Sequence, residues 1–471
     1  MSIKTTQRPE HRATLKQSSI KFANFWKDSY GAVSPTPSLT SPIDTDLLIV
    51  GGGYFGLWSS IIAKTAAPEM KVVLCEAGAI GDGASGKNGG FLQYSLTHGI
   101  EQGIDRFKDE LTELEELGRE NFSEIVQFIQ KNDLDIDFEE TGAIEIAKRR
   151  DPNLSLRAVT LNENGTEASY LTSQEVQDHI KIDGYVDGIL TPKYSAVLDP
   201  FKFTQELKRI ALNLGVEIFE YSPVLEVQDD DSYLTITTPL AKVTAKRAIV
   251  ATNVNTELIP SLRRYIAPVY DYALMTEPLT SEQFKSTNWS GREGLSDIAN
   301  QFHYFRLTAD NRILWGGYDA IYHFRNAISR DFEVRSATFE RLLHNFYRAF
   351  PYLEELTFTH GWGGAIDTCT RFTPFFGTSH SGKVSYASGF TGLGVAATRF
   401  SAKVAFAIHF DRDWSVLHSR YVSEKPLPMP PEPIRYLAIE KTKRSLAKED
   451  QTGRADLWLK ATRRLKFGFA S

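Results

Sequence analysis

Asp46-Leu47-Leu48-Ile49-Val50-Gly51-Gly52-Gly53-Tyr54-Phe55-Gly56 is the stretch that decides the fold. Its apolar start reads as a buried β-strand, its glycines fall at the G-x-G-x-x-G spacing, and a helix-like segment follows. Gly51 permits a tight turn, Gly53 lets the backbone approach a pyrophosphate, and Gly56 lets the helix pack closely on the strand. Tyr54 and Phe55 open that helix, whose free N–H groups and positive end favour phosphate. The next apolar run, Val72-Val73-Leu74-Cys75, ends in Glu76, 20 residues beyond Gly56. A carboxylate at that position accepts ribose hydroxyls and disfavours a 2′-phosphate. Strand, glycines, helix and acid together predict a dinucleotide site, with Ala77 beside the acid among its contacts.

Outward from this unit, the chain has 471 residues, of which 42% are hydrophobic and 24% charged. That is enough core for two or more domains in an ordinary globular balance. A net charge of −6 gives no reason to expect nucleic acid or an anionic membrane as partner. With only Cys75 and Cys369, a structural disulfide is not expected, and a reducing, cytoplasmic location fits. No apolar run reaches the roughly 18 residues of a membrane span, and residues 1–20 lack the apolar core of a secretory signal. The ten histidines show no metal-ligand spacing, so no metal is expected.

Residues 1–43 read as a polar extension ending in a proline-rich linker, with Phe22, Phe25 and Trp26 expected to dock on the body. A second glycine loop runs from Gly81 to Gly90, a helical pattern from Gly103 to Asn132, and strand patterns at 136–138 and 143–147. Further on, a helix at 200–214 precedes strands, and a buried strand at 246–253 ends in Thr252-Asn253, small polar residues of the kind found where a strand runs under a cofactor. A last strand–glycine loop–helix unit spans Val384 to Phe410. Two such units at opposite ends of the chain predict one sheet with other material inserted. A nucleotide domain made of separated segments suits FAD better than a nicotinamide cofactor, because the long flavin must be wrapped from end to end.

Taken as a set, Val50–Gly56, Glu76, Gly83–Gly90, Ala248–Asn253 and Tyr386–Gly394 resemble the FAD-dependent D-amino-acid oxidase (DAO) superfamily. Within it, Tyr304–Asp310 and Trp362–Asp367 are most similar to the gamma-glutamylputrescine oxidase and glycine oxidase-like members. The resemblance implies an α/β (α+β) architecture: a glutathione-reductase-type, Rossmann-like FAD domain built from 44–100, 196–262 and 361–410. A substrate domain with a mixed or antiparallel sheet would comprise 101–195 and 263–360, with a C-terminal extension at 411–471. It also implies oxidation of a C–N bond to an imine by hydride transfer to flavin N5, followed by hydrolysis, with oxygen, or else a quinone or carrier protein, taking the electrons. A non-catalytic flavoprotein is a further alternative.

The resemblance also carries residue roles. Val224 would touch the adenine through its backbone. Ala84, Ser85, Lys87, Asn88, Gly89 and Gly90 would pass the middle and ring of the flavin. Gly389, Phe390, Thr391, Gly392, Leu393 and Gly394 would bring a helix N-terminus to the flavin pyrimidine, where negative charge develops.

Amino-acid-specific members clamp the substrate carboxylate with an arginine near position 367, where this chain has Asp367. A buried acid there would attract a cationic amine, which favours an amine, a polyamine or an N-substituted amino acid as substrate. Equally, Asp367 could cap a turn, and Arg371 could replace the missing arginine. Tyr304 and Arg306 share one face of their strand and are candidates to line the pocket, although Arg306 could equally serve a structural pairing. Sarcosine oxidases attach FAD to a cysteine in this general region. The nearest one here, Cys369, falls about four residues from the matching position, so non-covalent FAD is preferred.

Overall fold

The computed structural model describes residues 20–464. Ile43–Val50 is the centre of an eight-stranded sheet, flanked in parallel by Lys242–Val250 and Val72–Cys75. Glu217–Phe219 and Val384–Ser388 extend it in parallel on either side, and Phe375–Ser379 closes one edge antiparallel. The strands at opposite ends of the chain thus lie in one sheet. The apolar run forms such a strand because both its faces are buried. Leu47 and Ile49 join the core beneath the helices Tyr54–Ala66, Pro200–Asn213 and Gly394–Phe410. Leu48 and Val50 face the opposite way, into a core shared with Leu234 and Ile236 of an added strand, Tyr233–Thr237.

A second, nine-stranded sheet is antiparallel except where Gly294–Asp297 runs parallel to Ala143–Ala147. Its central strands are Ala267–Thr276, Ile313–Gly317 and His303–Leu307. Side-chain alternation sorts its two faces. Tyr272, Leu274, Phe305 and Trp315 pack with the amphipathic helix Ser336–Ala349, whereas Tyr304, Ala273, Met275 and Leu314 pack with Phe25, Trp26 and Phe201 on the side of the nucleotide sheet.

Phe358–Thr368 pairs along nearly all of Ala267–Thr276 in this second sheet. The expected nucleotide segment 361–410 therefore starts inside a substrate-sheet strand, and the nucleotide sheet resumes at Phe375. No strand forms at 136–138, because Asp137 takes a left-handed φ of 49° that breaks an extended run. The helical pattern from 103 becomes two helices, Ile100–Phe107 and Leu111–Lys131, separated by a 3-10 turn.

The described parts of both extensions are packed against the body. Lys21 bridges His360 in parallel, and Phe25 and Trp26 are buried, while Phe22 stacks on Phe339. Residues 1–19 of the N-terminal extension and 465–471 of the C-terminal one lie outside the described residues. Among the described residues no helix is long and apolar enough to cross a membrane. No cluster of three or more His, Cys, Asp or Glu there is arranged to hold a metal.

Candidate active site

One cavity of ≈ 1910 Å³ runs between the two sheets. Its first end is the glycine turn after Ile43–Val50. Gly51 has φ 108°, and a Cβ on Gly56 would lie 1.8 Å from the Gly51 carbonyl oxygen, so no side chain fits at either position. This contact seats the helix on the turn. The Glu76 carboxylate accepts the N–H of Gly52 at 2.7 Å and that of Gly78 at 2.8 Å, and burial still pushes its carboxyl above the ordinary range. The helix Tyr54–Ala66 has no side-chain N-cap on Gly53, and Ser85 Oγ accepts the Tyr54 N–H at 2.9 Å. Val224, Thr252, Asn253 and Ala77 also line this end.

The second glycine loop crosses the middle of the cavity, where Ala84, Ser85, Lys87, Asn88 and Gly89 line the wall. Gly90, with φ 72°, sits behind it, its N–H given to Asn88 Oδ1 at 2.8 Å. Arg306 also lies behind the loop. Its buried guanidinium donates to the carbonyls of Gly89 (2.6 Å), Leu198 (2.6 Å) and Leu307 (3.0 Å) and lies over Trp26. Burial lowers it to about 10, so it stays charged at neutral pH. Arg306 thus fixes the loop and does not line the cavity, the structural alternative to a pocket role. A backbone pairing of this kind leaves no sequence signature.

At the far end, Phe390, Thr391, Gly392, Leu393 and Gly394 line the cavity ahead of the helix Gly394–Phe410, which has no side-chain N-cap. Gly389 turns behind them with φ 80°. Asp367 is fully buried, and its carboxylate accepts the N–H groups of Gly389 at 2.6 Å and Phe390 at 3.1 Å. It caps this turn. Burial pushes it up to about 7 against those bonds. Arg371 does not stand in for the absent arginine: its guanidinium donates to the carbonyls of Pro374, Tyr421 and Glu424, outside the cavity lining.

Other groups face the far cavity beside Asp367. Tyr304 lies flush between Gly89 and Gly316 and donates its hydroxyl to Asp271 Oδ2 at 2.6 Å. Burial and the Asp271 charge hold it well above the ordinary phenol range, while burial pushes Asp271 up to about 6. The Lys87 ammonium pairs with Glu333 at 2.7 Å. His98, held neutral by burial that lowers it to about 4, puts Nε2 2.7 Å from the Thr391 carbonyl oxygen. Sequence reasoning missed Asp271, Glu333 and His98. Asp271 carried a weak signal, an acid alternating with tyrosines in the run 267–276; the other two carried none. The helices Ile434–Thr452 and Leu457–Arg464 wall the cavity with Ala438, Lys443 and Trp458.

The model of a family described as DAO, FAD dependent oxidoreductase, matches residues 46–407. The chain belongs to the DAO family. Among curated DAO-like relatives it is 28% identical over 395 residues to "Probable oxidoreductase OrdL" of Haemophilus influenzae, covering 81% of this chain and 86% of that one. It is 26% identical over 392 residues to the gamma-glutamylputrescine oxidoreductase of Escherichia coli, covering 81% and 87%. The fold is that of the glycine oxidase from Geobacillus kaustophilus (TM-score 0.66, 17% identity, covering 78% and 94%) and of the L-proline dehydrogenase from P. horikoshii (0.65, 16%, covering 79% and 94%).

DAO-family enzymes bind FAD, and the residues present fit it. Gly51 and Gly56 admit no side chain, Glu76 faces the first end, and two helices whose N-cap residues make no side-chain cap bond open onto one cavity. Gly51–Phe55 and Glu76 would hold the phosphates and ribose, with loops 84–90 and 389–394 beside the ring. Cys369 is fully buried and donates to the carbonyls of Thr373 and Gly389, and burial raises its thiol. It stays a protonated thiol, in accord with the non-covalent FAD typical of the DAO family.

Proposed function

We propose that this flavoenzyme oxidises the C–N bond of an amine, a polyamine or an N-substituted amino acid to an imine, which water hydrolyses. FAD, when bound, supplies the two-electron acceptor chemistry. The observation that carries the substrate class is the far end of the cavity. Asp271, Glu333 and Asp367 line it, Lys87 in its wall is already paired with Glu333, and Arg306 and Arg371 are both held outside it by backbone carbonyls. An acid-lined pocket of this kind receives a cationic ammonium better than a free carboxylate. This moves the amine-binding role from Asp367, whose oxygens are used by the turn, to Asp271, with Tyr304 holding its carboxylate in place. The relatives named for gamma-glutamylputrescine and glycine support a C–N donor of this type. Tyr304, Phe91 and Trp362 supply apolar walls that exclude water from the reacting carbon. Two buried free cysteines support a reducing, cytoplasmic setting.

Oxygen is the proposed acceptor. A second reading has a quinone or carrier protein take the electrons. It is favoured by the absence of lysine from Ile313–Gly317 and by the engagement of Lys87 with Glu333, so neither offers an unpaired ammonium to nascent superoxide. Peroxide yield per turnover separates the two.

The substrate reading is tested anaerobically by flavin bleaching across amines, polyamines and N-methyl amino acids, and by binding of tert-butylamine, which has no α-hydrogen to lose. Asp271→Asn is expected to weaken tert-butylamine binding by about 10- to 100-fold without weakening FAD. In the wild type, amine affinity should rise as pH climbs through about 6, where Asp271 ionises. An unchanged amine constant in Asp271→Asn, or a flat pH profile, would overturn the role given to this acid.

A further inference from the structure

The loop Gly86–Gly89 is gripped one carbonyl at a time. Asn24 Nδ2 donates to Gly86 O at 2.8 Å and Trp362 Nε1 to Lys87 O at 2.8 Å. Trp26 Nε1 donates to Asn88 O at 3.0 Å and Arg306 Nε to Gly89 O at 2.6 Å. Four consecutive carbonyls thus have four separate side-chain donors, from three distant parts of the chain. Two of the donors, Asn24 and Trp26, come from the N-terminal segment, outside the residues matched by the family. That segment is itself anchored. Lys21 exchanges backbone bonds with Thr359 and Gly361, Asn24 Oδ1 caps the short helix Phe25–Tyr30, and Lys27 pairs with Asp82 at the start of the loop.

In a planar trans peptide the C=O and the following N–H point in opposite directions. With Lys87 O turned to Trp362 and Asn88 O turned to Trp26, the N–H groups of Asn88 and Gly89 are turned away from those two rings. Lys87, Asn88 and Gly89 line the cavity. Neither N–H has a hydrogen-bond partner among the described residues, whereas Lys87 N–H is given to Ala84 O and Gly90 N–H to Asn88 Oδ1.

We propose that the N-terminal segment is a clasp on the FAD loop. Asn24 and Trp26 act as positioning residues that hold the Asn88 and Gly89 N–H groups toward the flavin as a fixed pair of donors. Fixed donors favour negative charge on a bound partner, and reduced flavin carries more of it than oxidised flavin. The clasp therefore raises the reduction potential as well as the affinity for FAD. The proposal rests on FAD occupying this cavity and not on the identity of the amine.

Two conservative variants of the full-length holoenzyme test it. Trp26→Phe keeps an aromatic ring beside Arg306 and removes the Nε1 donor together with part of the buried ring. Asn24→Asp keeps the cap on the Trp26 N–H and replaces the donor to Gly86 O with an acceptor. Each is expected to weaken FAD binding by about fivefold, the worth of one hydrogen bond, to shift the flavin absorbance bands and to lower the reduction potential. Phe22→Ala is the control, because Phe22 lies in the same segment and stacks on Phe339. It should lower thermal stability while leaving spectrum and potential in place. Unchanged spectrum and potential in both Trp26→Phe and Asn24→Asp would overturn the proposal. So would equal changes in Phe22→Ala, since the segment would then act only through general stability. If either clasp variant misfolds, spectrum and potential measured on the other decide the matter.

Discussion

The two ends of the cavity are built by opposite means. At the phosphate end, one continuous segment does the work: Gly51 and Gly56 touch each other across a single turn, and Glu76 arrives on the next strand. From the middle to the far end, two loops are held by side chains at positions 24, 26, 306, 362 and 367. The first end is local in sequence and intolerant of added atoms. The second is non-local, and each of its contacts is one hydrogen bond among several. Substitutions should therefore be severe and all-or-none at the first end, and graded at the second.

The sharpest contrast comes from Gly56→Ala. Its Cβ would meet the Gly51 carbonyl oxygen at 1.8 Å, and backbone on both sides leaves little room to yield. Overpacking costs about 1–3 kcal/mol where side chains can move, so the loss here should lie at or above the top of that range. Thermal melts together with flavin content check it. A Gly56→Ala protein that keeps full flavin and a normal melting temperature would break the comparison at its strong end.

Asp367→Ala should be smaller and pH-dependent. It leaves the buried N–H groups of Gly389 and Phe390 without their acceptor, at about 1–3 kcal/mol for each group that water does not reach. The folded carboxyl titrates at about 7 against 3.8 for an ordinary aspartate. The folded state thus holds this proton more tightly than the unfolded chain does. The stability this contributes is full below 3.8 and lost as pH rises through about 7. The gap between wild type and Asp367→Ala in denaturant melts should therefore narrow from pH 4 to pH 8. A gap that widens would show that the carboxylate, not its protonated form, is the favoured state in the turn.

The same contrast explains what the sequence made legible. The strand, the glycines and Glu76 were readable because their chemistry is local: an apolar run buried on both faces, a positive φ, and an acid one strand away. The union of the first and last glycine units in one sheet was readable from their order. Asp367 stood out as an acid where the resemblance to amino-acid-specific members leads one to expect an arginine, but its two roles, amine partner or turn cap, differ only in whether Gly389 folds back onto it. Asp271 was lost among strand formers, since nothing in residues 267–276 tells which face meets a cavity until the Tyr304 strand is placed two strands away. Trp26 read as a docking aromatic, which it is; its Nε1 partner, Asn88, is 62 residues distant.

Cys369→Ser should have the smallest effect, and it probes whether the far end is held by many weak contacts or by one strong one. The thiol donates to Thr373 O at 3.3 Å and to Gly389 O at 3.5 Å, and a serine hydroxyl can serve the same acceptors. The change should cost about 1 kcal/mol or less, with the flavin spectrum unchanged. Acid precipitation should release yellow flavin into the supernatant from both wild type and variant, because a thiol raised by burial is a poor nucleophile. A yellow pellet from the wild type that turns white in Cys369→Ser would mean a covalent bond fixes the cofactor here. The graded behaviour expected of loops 84–90 and 389–394 would then give way to the all-or-none behaviour of the phosphate end.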